Sequence, residues 1–374
     1  MQDRKVIRMN GTPATSPSPA VVAGGLVFVS GISGAGPDGK PAGTDITSQT
    51  RAALGRLREV LAAAGSSLAQ TLSVQVYLER AADFDAMNTV YREAFAEQPP
   101  ARTTVVADLP PDVLVTIAAI AAPTGASRET LHPAGWAKSP RPYSYVVRSG
   151  NLVFLSGLLS RRGTNDAIVA GPASLQTRTI LDNAGVLLKT AGLSFSDVVA
   201  SRVFITNDLV FNEMNDEYRK YFTIDPPARA TAVVGLDLVS RDAQVEITLI
   251  ASAAGKQVIG PAVSPSLPLS TAVRTGDLLF LSGVLGNTAA NTGDVVAQTR
   301  EVFTRIRRTL EGAGVSFSHV AENTVYLSDI WEQRRVDAVT REIFPSDPPA
   351  QTAVGTRLVN PAALVEMMMT ATGR

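Results

Sequence analysis

Apolar positions along the chain follow two periods. Leu72 to Leu78 alternates as a strand, whereas Ala53, Leu54, Leu57, Val60 and Leu61 fall on one face of a helix that Gly65 closes. Phe84 to Phe95 is helical again, and Pro99-Pro100 stops it. Thr103 to Ala107 and Val113 to Ile120 read as two further strands, and Leu26 to Gly31 as a buried one. The predicted order is β-β-α-β-α-β-β, one sheet with two helices on one face. Its other face is apolar and needs a partner.

The pattern recurs. Leu26-Val27-Phe28-Val29-Ser30-Gly31 returns as Leu152 to Gly157 and as Leu278 to Gly283, each time 126 residues on. Gln49-Thr50-Arg51, Gln176-Thr177-Arg178 and Gln298-Thr299-Arg300 open segments that close at Gly65, Gly192 and Gly314. Pro99-Pro100-Ala101-Arg102 and Pro226-Pro227-Ala228-Arg229 are followed by Pro348-Pro349-Ala350-Gln351, where the last residue breaks the motif. A step this long exceeds a solenoid unit of roughly 20 to 50 residues, so each copy is a domain. The expected units are 1–125, 126–254 and 255–374. The stretches Ala122 to Pro140 and Ala253 to Pro268, rich in small residues and proline, read as linkers. Three units closing around an axis would bury the apolar sheet faces, with helices outside and sheets inside, as an intramolecular pseudo-trimer of α/β (α+β) class.

Composition narrows the chemistry. With 34 basic and 34 acidic residues there is no global field to gather a phosphate backbone or an anionic membrane. No nucleic-acid or membrane partner is expected. The absence of cysteine removes thiol chemistry, and His132 and His319 alone cannot build a metal centre, so neither metal nor cofactor is expected. The longest apolar runs are too short to cross a bilayer, and Met1 to Asn10 is too charged for a signal peptide. The compartment stays open. Gly34, Gly36 and Gly39 lack a phosphate-loop setting and read as a turn, while Met367-Met368-Met369 reads as core or interface filler.

Tyr143-Ser144-Tyr145, Asn151 to Gly157, Gln176-Thr177-Arg178, Asn215-Asp216-Glu217-Tyr218, Pro227-Ala228-Arg229 and Val245-Glu246-Ile247 together resemble the RidA (YjgF/YER057c/UK114) family. The likeness covers nearly all of each copy. It implies a chorismate-mutase-like unit, trimeric assembly with clefts between subunits, and cofactor-free hydrolysis of small 2-imino acids or their enamines to 2-oxo acids and ammonia. It also implies roles. Arg229 and Arg102 stand at the arginine that grips the substrate carboxylate, which calls for a planar bidentate donor. Glu246 and Glu366 stand at the carboxylate that directs water or relays a proton, where the first copy has Thr116. Tyr143 closes the pocket, and its counterparts are Pro17 and Leu269. Asn215 and Asn88 line the cleft, where the third copy has Asp337. Arg141 replaces a usual glycine and alters access.

By this count the middle copy keeps every part. The expected site is Glu246, Arg229 and Tyr143 as catalytic residues, with Asn215, Ser156, Gly157 and Thr231 beside Arg229 in substrate binding. Arg102, Asn88 and Glu366 mark reduced sites. Because clefts between units mix residues of neighbours, Arg229 faces either Glu246 of its own unit or a residue of an adjacent one. The leading function is an imine deaminase working at one intact cleft of a monomeric chain. Alternatives are a non-catalytic binder of small carboxylates, an endoribonuclease or translation inhibitor, and a docking scaffold.

Overall fold

The computed structural model describes residues 4–10, 14–35, 40–236, 242–264 and 267–373. Gly36 and Gly39 of the expected turn lie outside them. The first unit places a hairpin, Ala20–Ala23 and Leu26–Ser33, before helix α1 (Ile46–Ala63). The strand Thr71–Leu78 follows, then helix α2 (Phe84–Ala94) and the strands Ala101–Val106 and Val115–Ala121. Thr71–Leu78 runs parallel to Ala101–Val106, from Ser73 opposite Ala101 to Leu78 opposite Val106, and antiparallel to Val115–Ala121. A parallel neighbour cannot be reached by a tight turn, and α2 supplies the crossover.

The same plan repeats with helices α3 (Ala173–Thr190) and α4 (Phe211–Tyr218), then α5 (Val295–Gly312) and α6 (Gln333–Ile343). Asp45 and Asp294 cap α1 and α5 by accepting from backbone N–H groups of the first turn. Gly65, Gly192 and Gly314 follow the three long helices at φ of 74°, 72° and 75°, where a side chain would be strained.

The stretches read as linkers are partly ordered into the sheets. Glu129–Leu131 pairs with Val146–Ser149, and Gln257–Ser264 with Leu267–Thr275, as Lys5–Ile7 pairs with Ala20–Ala23. Each unit therefore gains a strand. The backbone donors of these segments have ladder partners that composition did not reveal.

The units join through one device used three times. A serine at the end of each Ser-Gly strand accepts from the backbone N–H of the preceding unit's motif: Arg102 to Ser156, Arg229 to Ser282 and Gln351 to Ser30, each 2.8 Å. The same hydroxyls donate to Ser144, Ser270 and Ser18 carbonyls. The N–H groups of those residues in turn donate to Pro100, Pro227 and Pro349. Unit one thus leans on two, two on three, and three on one, which closes the ring.

Inside it, the sheet faces meet in two apolar layers. One holds Phe28, Phe154 and Phe280, and the other Tyr77, Phe204, Tyr326 and Met368. Between them Arg202 Nη2 meets Glu322 Oε1 at 3.3 Å. Met367 and Met369 face the helix side of their own unit while Met368 faces the axis, as strand alternation requires. No described helix is long and apolar enough to cross a membrane.

Candidate active site in the cleft between the first two units

Arg102 leaves its strand into the cleft between units one and two, which is also lined by Phe84, Thr104, Arg141, Tyr143, Gly157 and Glu246. Arg102 is 4 % exposed and its guanidinium carbon sits 4.7 Å from the Tyr91 ring centroid, a cation–π seat on α2. Its Nη1 has no hydrogen-bond partner among the described residues. Burying an unfilled charged donor is costly, so the arginine is set for an acceptor from outside. Burial pulls its pKa down, while Tyr91, Tyr143 and Glu246 push it back up. Asn88, one turn before Tyr91, is buried with its Oδ1 equally unpartnered.

Glu246 comes from unit two, opposite Phe204 in the strand Val245–Ser252. It does not turn to solvent. At 5 % exposure its pKa is pushed up to about 8 by burial, against the pull of Arg102. The carboxyl is therefore mostly protonated at neutral pH. Gly157 makes room for it, since a Cβ there would overlap Glu246 Oε1. Tyr143 stands beside it, its ring set edge-on to Tyr145 at 5.5 Å and its phenol pKa raised by burial.

The expected grouping by repeat does not hold. Arg229 and Glu246 belong to different clefts, because units one and two each send their arginine forward to the next unit's glutamate. Arg229, 1 % exposed and stacked 4.8 Å from the Tyr218 ring centroid, feels Glu366 of unit three. The Glu366 pKa is also pushed up to about 8 by burial, against Arg229 and an N–H from Thr231. Asn215 sits on this side too, one turn before Tyr218, with its Oδ1 unpartnered. Gly283 leaves space for Glu366 as Gly157 does for Glu246. In place of Tyr143 this cleft has Leu269.

The third cleft has lost its parts together. Gln351 replaces the arginine and donates to Asp337 Oδ1 at 2.9 Å, and Thr340 stands where α2 and α4 carry tyrosine. Across from them are Gly31 and Thr116, where a Cβ on Gly31 would lie 2.9 Å from the Thr116 methyl.

Arg102, Glu246, Tyr143 and Gly157 therefore share one cleft, which spans units one and two, and Asn88 is buried on α2 one turn before the tyrosine under Arg102. Residues assigned to a reduced site and residues assigned to the intact one share this cleft. Ser156 also differs from its expected role in substrate binding. Its single hydroxyl proton is spent on Ser144, so it holds Arg102 in place. Sequence reading missed the tyrosines under the two guanidiniums. Their signal was present as a tyrosine three residues after Asn88 and Asn215 but not after Asp337. It also missed Arg161 and Asp166 at the cleft wall.

A family model described as endoribonuclease L-PSP matches residues 10–123, 137–253 and 260–373. The RutC family protein of Sulfurisphaera tokodaii is 38 % identical over 118 residues, 31 % of this chain and 93 % of the relative. The 3-aminoacrylate deaminase RutC of Acinetobacter baylyi is 33 % identical over 124 residues, 33 % of this chain and 97 % of the relative. The solved structure of a chorismatase aligns over 81 % of this chain and 93 % of its own at 16 % identity and a TM-score of 0.56, a likeness of fold alone.

Proposed function

Since this chain belongs to the endoribonuclease L-PSP family, with all three of its units matched, we propose that it is a cofactor-free deaminase of 2-imino acids and their enamines. The work is assigned to the cleft between the first two units. One observation carries the reading: a buried, partly unfilled guanidinium from unit one and a buried, protonated carboxyl from unit two share that cleft. The deaminase name of the Acinetobacter relative supports the reaction class.

Arg102 takes the substrate carboxylate, which fixes the imine carbon near Glu246. Glu246 gives its proton to the imine nitrogen and becomes a carboxylate as the iminium forms. That carboxylate directs water onto the iminium carbon: a C–O bond forms, the C=N π pair moves to nitrogen, and Glu246 recovers a proton from the water. In collapse Glu246 protonates the amine, the C–N bond breaks, and the hydroxyl proton returns to the glutamate. The 2-oxo acid and ammonia leave, and the enzyme is restored.

The test is ammonia release from enzymatically generated 2-aminoacrylate. Arg102→Lys and Glu246→Gln should each lower kcat/KM strongly, and rates unchanged by both would remove the reading. For the cleft between units two and three, Leu269 in place of a tyrosine favours binding of small carboxylates without efficient turnover. Thermal stabilisation by 2-oxobutanoate that is lost in Arg229→Lys would be its sign.

A further inference from the structure

The cleft between units two and three keeps deep polar groups of its own. Arg229 is 1 % exposed, and its Nε and Nη1 have no hydrogen-bond partner among the described residues. The same holds for Glu366 Oε2 and Asn215 Oδ1. Burying such groups unpaired is costly, so this cleft is set for a guest with a carboxylate and a second polar atom. At the same seam is a hollow of about 560 Å³ whose lining includes Phe222, Pro226, Val258, Leu267 and Leu269. The seam brings the two together: Ser270 pairs with Ala228 and its N–H donates to Pro227 O, which sets Leu269 next to the strand that carries Arg229. Arg219 lines the hollow and is near enough to bear on the Arg229 charge.

Two changes of residue distinguish this corner from its counterparts. At the other seams an arginine fork spans it: Arg128 donates from Nε to Thr71 O and from Nη2 to Gln98 O, and Arg4 likewise to Val320 O and Asp347 O, all at 2.7–2.8 Å. At this seam the matching residue is Lys256, whose ammonium donates to Val198 O at 3.0 Å, with no bond to the Asp225 carbonyl among the described residues. The second change is in polarity. Leu267 and Leu269 stand where the first cleft has Arg141 and Tyr143. Ile224, 79 % exposed between two residues of the rim, stands where units one and three have Glu97 and Ser346.

We propose that the cleft between units two and three binds 2-oxo acids with a bulky apolar side chain, the carboxylate on Arg229, the 2-oxo group at Glu366, and the side chain running past Leu269 into the hollow. The proposal rests on the reading of this cleft as a binder of carboxylates and adds what the rest of the ligand is. A leucine in place of Tyr143 leaves out the ring and hydroxyl that line the first cleft, and its methyls offer an apolar passage. The hollow falls within the roughly 300–1,000 Å³ of small-molecule sites, and its leucines, valine and phenylalanine favour an apolar occupant. No covalent bond is made or broken, so no further reactant is needed.

The experiment is calorimetry on the full chain carrying Arg102→Lys, which weakens the first cleft, with 4-methyl-2-oxopentanoate compared against 2-oxobutanoate. The branched acid is expected to bind roughly tenfold tighter, as burial of two further carbons implies. Leu269→Tyr, or Leu267→Arg at its half-buried position if the tyrosine variant does not fold, should bring the ratio near one. Adding Arg229→Lys should weaken both acids strongly. A preference that survives Leu269→Tyr and Leu267→Arg, or binding of the branched acid that is indifferent to Arg229→Lys, overturns the proposal. Equal binding of the two acids, lost in Arg229→Lys, keeps the cleft as a carboxylate site and removes only the apolar subsite. No binding of either acid removes both.

Discussion

Gly157 and Glu246 compete for the same space: a Cβ on the glycine would overlap the glutamate Oε1 and lie 2.9 Å from Thr103 Oγ1. The glycine φ is not in the left-handed region, so alanine is tolerated by the backbone there, and it is the Glu246 carboxyl and the Thr103 hydroxyl that must move. Gly157→Ala should therefore leave the melting temperature nearly intact and cut kcat/KM roughly a hundredfold, the cost typical of a reacting group displaced by about 1 Å. Gly283→Ala, which meets Glu366 in the second cleft, should cost much less in the same assay. Equal losses from the two would move the reaction out of the cleft between units one and two.

Arg102 and Arg229 are sequence equivalents in unlike surroundings. Each rests on a tyrosine ring of its own unit and faces a glutamate of the next, but Arg102 also meets a second tyrosine, Tyr143, beside Glu246, where the other cleft has Leu269. Lysine keeps the charge but not the fork, and a charge-assisted hydrogen bond contributes about 1.5–3 kcal/mol. Steady-state rates should accordingly fall roughly ten- to a hundredfold in Arg102→Lys and distinctly less in Arg229→Lys. The reverse order would place turnover in the second cleft.

The contrast between these arginines marks what the sequence could and could not say. Helix faces, the Ser-Gly strands and the Pro-Pro stops are local, and each was legible from spacing in a single copy. The need of the sheet's second face for a partner was legible as well, because that face is largely apolar. Which glutamate meets which arginine was not. That depends on the direction in which each unit leans on its neighbour, set by bonds such as Arg102 N–H to Ser156, 54 residues apart. Asp166 was overlooked for another reason: the two arginines that it meets, Arg141 and Arg161, stand at separate places in the chain. Comparison of the copies at Arg161, Ala35 and Asn287 held a trace of it.

Burial of two protonatable glutamates makes the fold sensitive to base. Glu246 and Glu366 both titrate near pH 8 in the folded chain against 4.5 for the exposed group. Between those values the folded state holds protons that the unfolded state releases, so stability is full below about pH 4.5 and falls as the pH climbs through 8. Each group contributes a loss on the order of 4 kcal/mol across the window. Asp337, raised by its own burial, adds in the same direction, whereas the lowered Asp45, Glu213 and Glu217 weaken the fold only on the acid side. Urea denaturation should give a clearly higher midpoint at pH 6 than at pH 9, with the difference mostly gone in the Glu246→Gln, Glu366→Gln variant. A flat wild-type profile would contradict the buried carboxyls. The same titration sets activity: kcat/KM should decline above pH 8 as the resting proton on Glu246 is lost.

Closure within one chain predicts a particle of one chain. The seam between units three and one uses the same serine relay as the other two seams and adds Arg4, whose Nε donates to Val320 O and whose Nη2 donates to Asp347 O, both at 2.7 Å. Among the described residues every unit's forward and backward seam of this kind is thereby occupied within the chain. Sedimentation should therefore return the mass of a single chain, 39.3 kDa, at all accessible concentrations. At the axis, the Arg202–Glu322 pair ties unit two to unit three from within. Arg202→Leu leaves Glu322 buried without its partner and should cost about 3–5 kcal/mol. Arg202→Leu with Glu322→Leu should recover most of that, because a packed apolar pair suits a site lying between two apolar layers. If the single and double variants were equally destabilised, the loss would come from altered packing and the pair would not be what aligns the two units.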